Sequence, residues 1–150
     1  MNTRKINFFQ EKIDYTLKNK AFIRKWIADT IIAEGFQELG PLNFIFCTDE
    51  YLLSINQEYL HHDTYTDIIT FDTSEKSHRI SGDIFISIER VRENASLLKV
   101  AVQDEIHRVI IHGILHLCGY LDKGKDEKQV MTEKEDHYLA KRPTDLQKFF

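Results

Sequence analysis

The most informative stretch of this chain is His112-Gly113-Ile114-Leu115-His116-Leu117-Cys118-Gly119-Tyr120-Leu121-Asp122. It completes a strongly apolar segment, Asp104 to Cys118, whose length and composition predict a buried helix. His112 and His116 are four residues apart, so on that helix both imidazoles lie on one face and can reach one ion. Gly119 is suited to end the helix in a left-handed turn, after which the chain folds back and offers Asp122 as a third ligand.

Two imidazoles and one carboxylate leave coordination positions open for water, which is typical of a catalytic centre rather than a closed structural one. We expect one zinc ion, although other divalent transition metals are compatible with these ligands. Zinc lowers the pKa of a bound water toward about 7, which makes hydrolysis the expected chemistry. The same ligand set occurs in non-haem iron oxygenases, but no feature of the sequence indicates a co-substrate pocket.

The ligand spacing also matches one class of zinc peptidases. Those enzymes carry a glutamate directly after the first histidine, and it acts as the general base. Here that position is Gly113, and the neighbouring Ile114 and Leu115 cannot accept a proton either. Peptide hydrolysis therefore stays open as an alternative, but it lacks its usual base.

Outward from this helix, strand and helix patterns alternate along the chain, in the order β-α-β-α-β-β-α-α-α. The predicted strands are Lys5–Gln10, Leu42–Cys47, Ile68–Phe71 and Ile84–Ser87, the last opened by Gly82 and Asp83. The predicted helices run from Ala21 to a stop at Gly35, from a cap at Asp49 to Tyr59, over Arg90–Leu98, over Asp104–Cys118, and from Asp126 to Lys141. This order predicts an α+β fold, with a small mixed β-sheet of about four strands packed with about five helices in a single domain.

Composition limits the classes of function. The chain has 150 residues, 42% of them hydrophobic and 29% charged, with a formal net charge of -4. It lacks the strongly basic balance typical of nucleic-acid-binding domains, so contact with nucleic acid would need a local basic patch. The two cysteines, Cys47 and Cys118, do not form a disulfide framework and are expected to be small buried hydrophobes. With no signal peptide and no membrane span indicated, we expect a cytoplasmic protein.

The segment from His112 to Tyr120 resembles the signature of the YbeY family, metal-dependent endoribonucleases of bacterial rRNA processing and ribosome quality control. The similarity extends upstream over most of the chain from about Leu42. Thr66–Phe71 and Gly82–Ser87 resemble the family's two central strands. The flanking helices match it at Asn56, Tyr59, Arg90, Val91, Asn94 and Ala95.

The resemblance implies that residues 1–150 form one YbeY-like metallohydrolase domain with His112, His116 and Asp122 as metal ligands. It implies a zinc-dependent, single-strand-specific endoribonuclease that matures the 3′ end of small-subunit rRNA and acts in ribosome quality control. The implied partners are single-stranded RNA or rRNA and the ribosome or its assembly factors, with no membrane. Two alternatives remain: a metallohydrolase of another substrate such as peptides, and a non-catalytic, ribosome-associated metal-binding protein.

The sequence departs from the family pattern at two places. Asp122 stands where most members have a third histidine, and its carboxylate is a competent zinc ligand that would make the ion a slightly weaker Lewis acid. Leu60 stands where many members have an arginine after the tyrosine. A phosphodiester transition state needs positive charge near its oxygens, so another cation must supply it. The candidate substrate-binding residues are Lys123, His62 and Arg79, and no catalytic group beyond the metal-bound water is identified.

Overall fold

A four-stranded mixed sheet forms the frame of the molecule, with the strands in the order β1-β2-β4-β3. The structure, a computed structural model, describes residues 1–143. The strands are β1 (Ile6–Glu11), β2 (Glu38–Cys47), β3 (Ile68–Asp72) and β4 (Arg79–Ser87). The helices of this part of the chain are α1 (Lys20–Ala33), α2 (Asp49–Leu60), α3 (Ile88–Leu98), α4 (Val102–Leu117) and α5 (Lys125–Ala140).

The sheet is parallel except at one edge. β1 pairs with β2 and β2 with β4 in parallel, whereas β3 pairs with β4 in the antiparallel sense, with Thr70 opposite Ile84. The predicted fold class and the predicted order of elements are therefore confirmed. β3 occupies an edge of the sheet, which leaves its beginning next to the elements that follow β4 in the chain.

Both faces of the sheet are covered by helices. Alternate strand residues point to opposite sides of the sheet, so each face contributes side chains to its own hydrophobic cluster. On one face, Phe44, Ile84 and Ile86 join the main core with residues of α1 and α4. On the other face, Cys47 and Ile69 form a smaller cluster with Leu52 and Ile55 of α2. The strands are apolar on both sides for this reason, and α4 is buried along most of its length.

The two ends of the described chain meet at α1 and α5. The indole Nε1 of Trp26 donates a hydrogen bond to the backbone carbonyl of Tyr138 at 2.8 Å. Trp26 is buried, so an unsatisfied indole N–H would be costly, and the Tyr138 carbonyl removes that cost. α5 is thereby fastened to α1 as well as to α4.

The structure corrects some predicted boundaries. The prediction that Asp49 caps α2 is wrong: Thr48 is the N-cap, and its hydroxyl accepts from the Tyr51 N–H at 3.1 Å. The Asp49 carboxylate instead accepts from the Arg90 guanidinium at 2.6 Å, a stronger, charge-assisted bond. β2 begins before Pro41, and the register shifts between Leu39 and Leu42, because proline has no N–H to donate to the ladder.

Within residues 1–143, no helix is long and apolar enough to cross a membrane. Both cysteines are free thiols. Cys47 is fully buried, as predicted, whereas Cys118 is only partly buried. Burial raises the pKa of both thiols to about 12, which keeps them protonated at neutral pH.

Candidate metal centre

The centre is built at the C-terminal end of α4. His112 and His116 lie one turn apart on the same face, with ring centroids 4.5 Å from each other. Gly119 has a φ of +107°, the left-handed conformation predicted for it. Its N–H donates to the His116 carbonyl, and the Tyr120 N–H donates to the Leu115 carbonyl, each at 3.0 Å. This pair of bonds is a Schellman motif, and it reverses the chain so that Asp122 returns alongside the histidines.

The three side chains converge through one donor atom each. His112 Nε2 lies 3.2 Å from Asp122 Oδ2, and His116 Nε2 lies 3.7 Å from Asp122 Oδ1. A set of ligand atoms from these three residues fits within 4.8 Å. Tetrahedral zinc with bonds of about 2.0–2.1 Å separates neighbouring ligand atoms by roughly 3.3 Å. The donor atoms therefore lie close to the separations that one ion of this kind requires.

The second ring nitrogen of His112 is held by a carboxylate. His112 Nδ1 lies 2.6 Å from Glu135 Oε2 on α5, and Arg108 in turn contacts Glu135 Oε1 at 2.8 Å. Because the Glu135 carboxylate accepts, Nδ1 is the nitrogen that carries the proton. The lone pair of Nε2 is thus left facing Asp122, which is the tautomer that a metal ligand needs.

His116 also has its Nδ1 engaged, so that its Nε2 faces Asp122, and here the turn that follows α4 supplies the partner. Its Nδ1 lies 3.0 Å from the backbone carbonyl of Tyr120. The hydroxyl of Tyr120 donates to Glu34 at 2.6 Å, and the hydroxyl of Tyr138 donates to the same carboxylate. Glu34 thus ties the turn behind the metal centre to both α1 and α5.

The two histidines titrate in opposite directions. Burial lowers the pKa of His112, but its hydrogen bond to Glu135 and the charges of Glu135 and Asp122 outweigh it, so its pKa is raised. Burial also lowers the pKa of His116, and the neighbouring His112 lowers it further, so the net shift is downward. The carboxylates that raise the pKa of His112 stabilise positive charge at this position, which a bound metal ion would supply.

A cavity of about 450 Å³ opens in front of the centre. Its lining includes four carboxylates, those of Asp67, Glu105, Asp122 and Glu135, against one cation, Arg108. Arg108 is also bound to Asp136 at 2.6 Å, so its charge is already shared. A bound divalent ion would offset much of this negative charge before an anionic substrate enters.

Several of these residues were not identified from the sequence. Glu135, Arg108 and Glu105 come from segments without a metal-binding pattern, and Asp67 had no assigned role. One signal was available for Glu135: it shares the inward face of α5 with Met131 and Tyr138 at helical spacing. A carboxylate within a buried apolar stripe requires a partner and indicates a polar site.

The predicted substrate-binding residues lie outside the cavity lining. Lys123 follows Asp122 directly and is exposed, and His62 is exposed beyond the end of α2. Arg79 begins β4 and lines a separate depression that includes Pro41 and Thr73. The structure therefore does not bring these three residues together, and their roles stay predictions.

His107 faces away from the centre, as predicted from its position on the helix. Its ring packs against Trp26, and its Nδ1 accepts a hydrogen bond from Arg142 at 3.0 Å. Burial lowers the pKa of His107 to about 4, and the adjacent Arg142 contributes to the shift. This histidine belongs to the interface between α1, α4 and the end of α5.

An open two-histidine, one-carboxylate centre beside a small mixed sheet is the arrangement of a metal-dependent hydrolase. Residues 5–142 match the model of the family described as endoribonuclease YbeY. The chain therefore belongs to the YbeY family of endoribonucleases, hydrolases that act on RNA. The family predicted from the sequence is thus confirmed, and so is the predicted class of enzyme.

Relatives and a solved structure agree with this assignment. An endoribonuclease YbeY from Cytophaga hutchinsonii is 51% identical over 142 residues, which is 95% of this chain and 99% of the relative. One from Flavobacterium psychrophilum is 49% identical over 131 residues, 87% of this chain and 92% of the relative. The solution structure of TM1509 from Thermotoga maritima is 27% identical and covers 89% of this chain and 86% of its own, with a TM-score of 0.60.

Proposed function

We propose that this chain is a zinc-dependent, single-strand-specific endoribonuclease. It matures the 3′ end of small-subunit rRNA and takes part in ribosome quality control. His112, His116 and Asp122 hold one zinc ion, and residues 1–150 act as one metallohydrolase domain. Its partners are single-stranded RNA, including rRNA, and the ribosome or its assembly factors. Its place of action is the cytoplasm, where ribosomes are assembled.

The observation that carries the proposal is the convergence of three anchored donor atoms at the edge of the cavity. Both histidines present Nε2 to Asp122 while their Nδ1 atoms are engaged by Glu135 and by the Tyr120 carbonyl. Zinc at this position polarises a phosphoryl oxygen and makes a water more acidic. The open side of the donor set faces the cavity, where a phosphodiester can approach.

The charge of the cavity explains how an RNA phosphate is admitted. Without the metal ion, the carboxylates outnumber the single lining cation and repel a phosphate. The zinc charge would remove part of that repulsion at the ligand end of the cavity. Lys123, His62 and Arg79 contact the RNA backbone outside the cavity, and Lys123 is the nearest to the ligands in sequence. Tyr65, which is 50% exposed, offers a ring for base stacking.

The test combines metal analysis with a cleavage assay. Wild type, His116→Ala and Asp122→Ala are purified from zinc-replete medium, with Asp126→Ala as the matched acidic control. Zinc content is measured, and cleavage is followed on single-stranded RNA, on double-stranded RNA of the same sequence and on precursor rRNA. We expect stoichiometric zinc and cleavage of single strands in wild type and in Asp126→Ala, and loss of both in the two ligand variants.

Other outcomes separate the alternatives. If wild type carries no zinc, the metal assignment is wrong. If it carries zinc but cuts no RNA in any context, the non-catalytic, ribosome-associated alternative replaces the nuclease. Cleavage of unstructured peptides that is lost in His116→Ala would establish a peptidase instead. Full zinc content in Asp122→Ala would place the third ligand elsewhere.

A further inference from the structure

Gly113, which follows the first histidine, lies where α4 packs closely on the sheet. A Cβ at this position would be 2.9 Å from Ile68 Cδ1 and 3.1 Å from Ile84 Cγ2. Glycine therefore allows β3 and β4 to approach the helix beside His112. The space that a side chain at Gly113 would need is filled by the side chains of Ile68 and Ile84.

This close approach brings the start of β3 to the metal centre. Asp67 directly precedes Ile68, the residue that contacts Gly113, and its side chain lines the same cavity as His112, His116 and Asp122. The Ser87 N–H donates to the Asp67 backbone carbonyl at 3.0 Å, which holds the residue at the end of the β3–β4 ladder. Asp67 is thus a carboxylate fixed by the sheet rather than carried on a free loop.

The other carboxylates of the cavity have different roles. Asp122 is a proposed ligand, and Glu135 is held between His112 and Arg108. Glu105 lies seven residues before His112 on α4, roughly 10 Å along the helix axis, and it also lines the neighbouring depression. Asp67 has no ion pair within 4.0 Å among those found in the described residues. It is therefore the carboxylate at the centre that is free to exchange a proton.

We propose that Asp67 is the proton acceptor of the hydrolysis and takes the place of the base that is missing at Gly113. This inference rests on the proposed function. Asp67 removes one proton from the attacking water as the water oxygen bonds to phosphorus. The bond between phosphorus and the departing ribose oxygen breaks, that oxygen takes a proton from solvent water on the opposite side, and Asp67 returns its own proton to solvent. The second proton of the water stays on the new phosphate monoester, so Asp67 ends the cycle ionised.

The surroundings of Asp67 suit this role. Burial raises the pKa of its carboxyl; His112 and the residue's own N–H oppose the shift, and Glu135 and Asp122 add to it. A raised pKa makes a carboxylate a better proton acceptor near neutral pH, and the charge of a bound zinc ion would oppose this shift. The charged groups around it also include Glu105 and Arg108 on α4 and Arg90 on α3.

The test compares Asp67→Asn and Asp67→Gly with Asp72→Asn as the matched control, an exposed carboxylate at the other end of β3 that does not line the cavity. The first readout is the zinc Kd from chelator competition, which we expect to stay within about threefold of wild type in all three variants. The second is the separation of kcat from KM, on single-stranded RNA and on bis(p-nitrophenyl) phosphate. We expect kcat of Asp67→Asn to fall by about 10²- to 10⁴-fold with little change in KM, and Asp72→Asn to stay near wild type. The third is added formate, which should restore part of the activity of Asp67→Gly.

The outcomes that overturn the inference differ from those that overturn the function. If zinc affinity falls in Asp67→Asn as far as in Asp122→Asn, Asp67 is a ligand rather than a proton acceptor. If kcat is retained, or if formate does not rescue Asp67→Gly, the proposed proton transfer is wrong although the nuclease assignment stands. If wild type hydrolyses the nitrophenyl diester but not RNA, the proposed ribonuclease function is wrong. The kcat of Asp67→Asn on the diester then still decides whether Asp67 is the proton acceptor. If wild type hydrolyses neither, both fail.

Discussion

His112 Nδ1 and Glu135 Oε2 lie 2.6 Å apart, which joins the first histidine of the metal centre to a helix 23 residues further along the chain. This contact fixes the ring orientation and increases the basicity of the opposite nitrogen. We expect Glu135→Ala to weaken zinc binding by about 10- to 100-fold. Chelator competition measures the change. Asp136→Asn is the matched control, because Asp136 also binds Arg108, whereas the α5 carboxylate paired with His112 is that of Glu135. An unchanged zinc Kd in Glu135→Ala would show that His112 is oriented by packing alone.

Zinc should stabilise the fold without being needed to form it. The hydrophobic core includes residues of the sheet and of α4, and none of the three proposed ligands belongs to it. We expect the circular dichroism spectrum to survive chelation, and zinc at roughly 100 times its Kd to add about 2.7 kcal/mol of stability. Thermal unfolding with and without zinc measures this gain. It should be absent in Asp122→Ala and present in Asp126→Ala. Unfolding on chelation would instead identify a structural metal.

Restoring the peptidase glutamate should damage this protein rather than change its substrate. In Gly113→Glu, the new side chain would enter the contact with Ile68 and Ile84, so a carboxylate would be buried among apolar groups. We expect a loss of more than about 3 kcal/mol in the free energy of unfolding and no gain of peptidase activity. Gln103→Glu, in the first turn of the same helix, adds the same charge and should be tolerated. A stable Gly113→Glu protein that cleaves peptides would refute this account.

The buried His107 should make the fold sensitive to acid. Above its ordinary pKa of 6.5 the imidazole is neutral in both the folded and unfolded states. Between pH 6.5 and about 4 only the unfolded chain takes up the proton, so stability is lost as the pH falls. The shift corresponds to about 3 kcal/mol. Urea titrations across this range should show a smaller loss in His107→Gln, which keeps an acceptor for Arg142, than in wild type. His78→Gln, at an exposed histidine, should behave like wild type.

The parts of the site that could be predicted from the sequence are local in the chain. His112 and His116 are one helical turn apart, and Gly119 ends that helix with a positive φ, so spacing and glycine chemistry place them without tertiary information. Asp122 follows within the same turn. The fold class could be predicted for the same reason, because each strand and helix has its own periodicity.

The remaining parts depend on contacts between distant segments. Glu135 reaches His112 only because α5 packs on α4, and Asp67 reaches the cavity only because β3 packs on Gly113. Asp49 was predicted as a cap because aspartate is common there, but Arg90 on α3 binds its carboxylate more strongly. Gly113 was interpreted from the sequence as the loss of a base. In the structure, the lack of a side chain at Gly113 lets β3 pack on α4, which brings the Asp67 carboxylate to the cavity.

The bond from Trp26 to the Tyr138 carbonyl has a consequence for biosynthesis. A growing chain emerges from its N-terminus, so α1 leaves the ribosome long before α5. Until α5 follows, the indole of Trp26 has no Tyr138 carbonyl to accept its N–H, and His112 has no Glu135. We therefore expect nascent chains to be inactive. The proposed ribonuclease would gain its activity only once α5 has emerged from the ribosome and packed on α1 and α4.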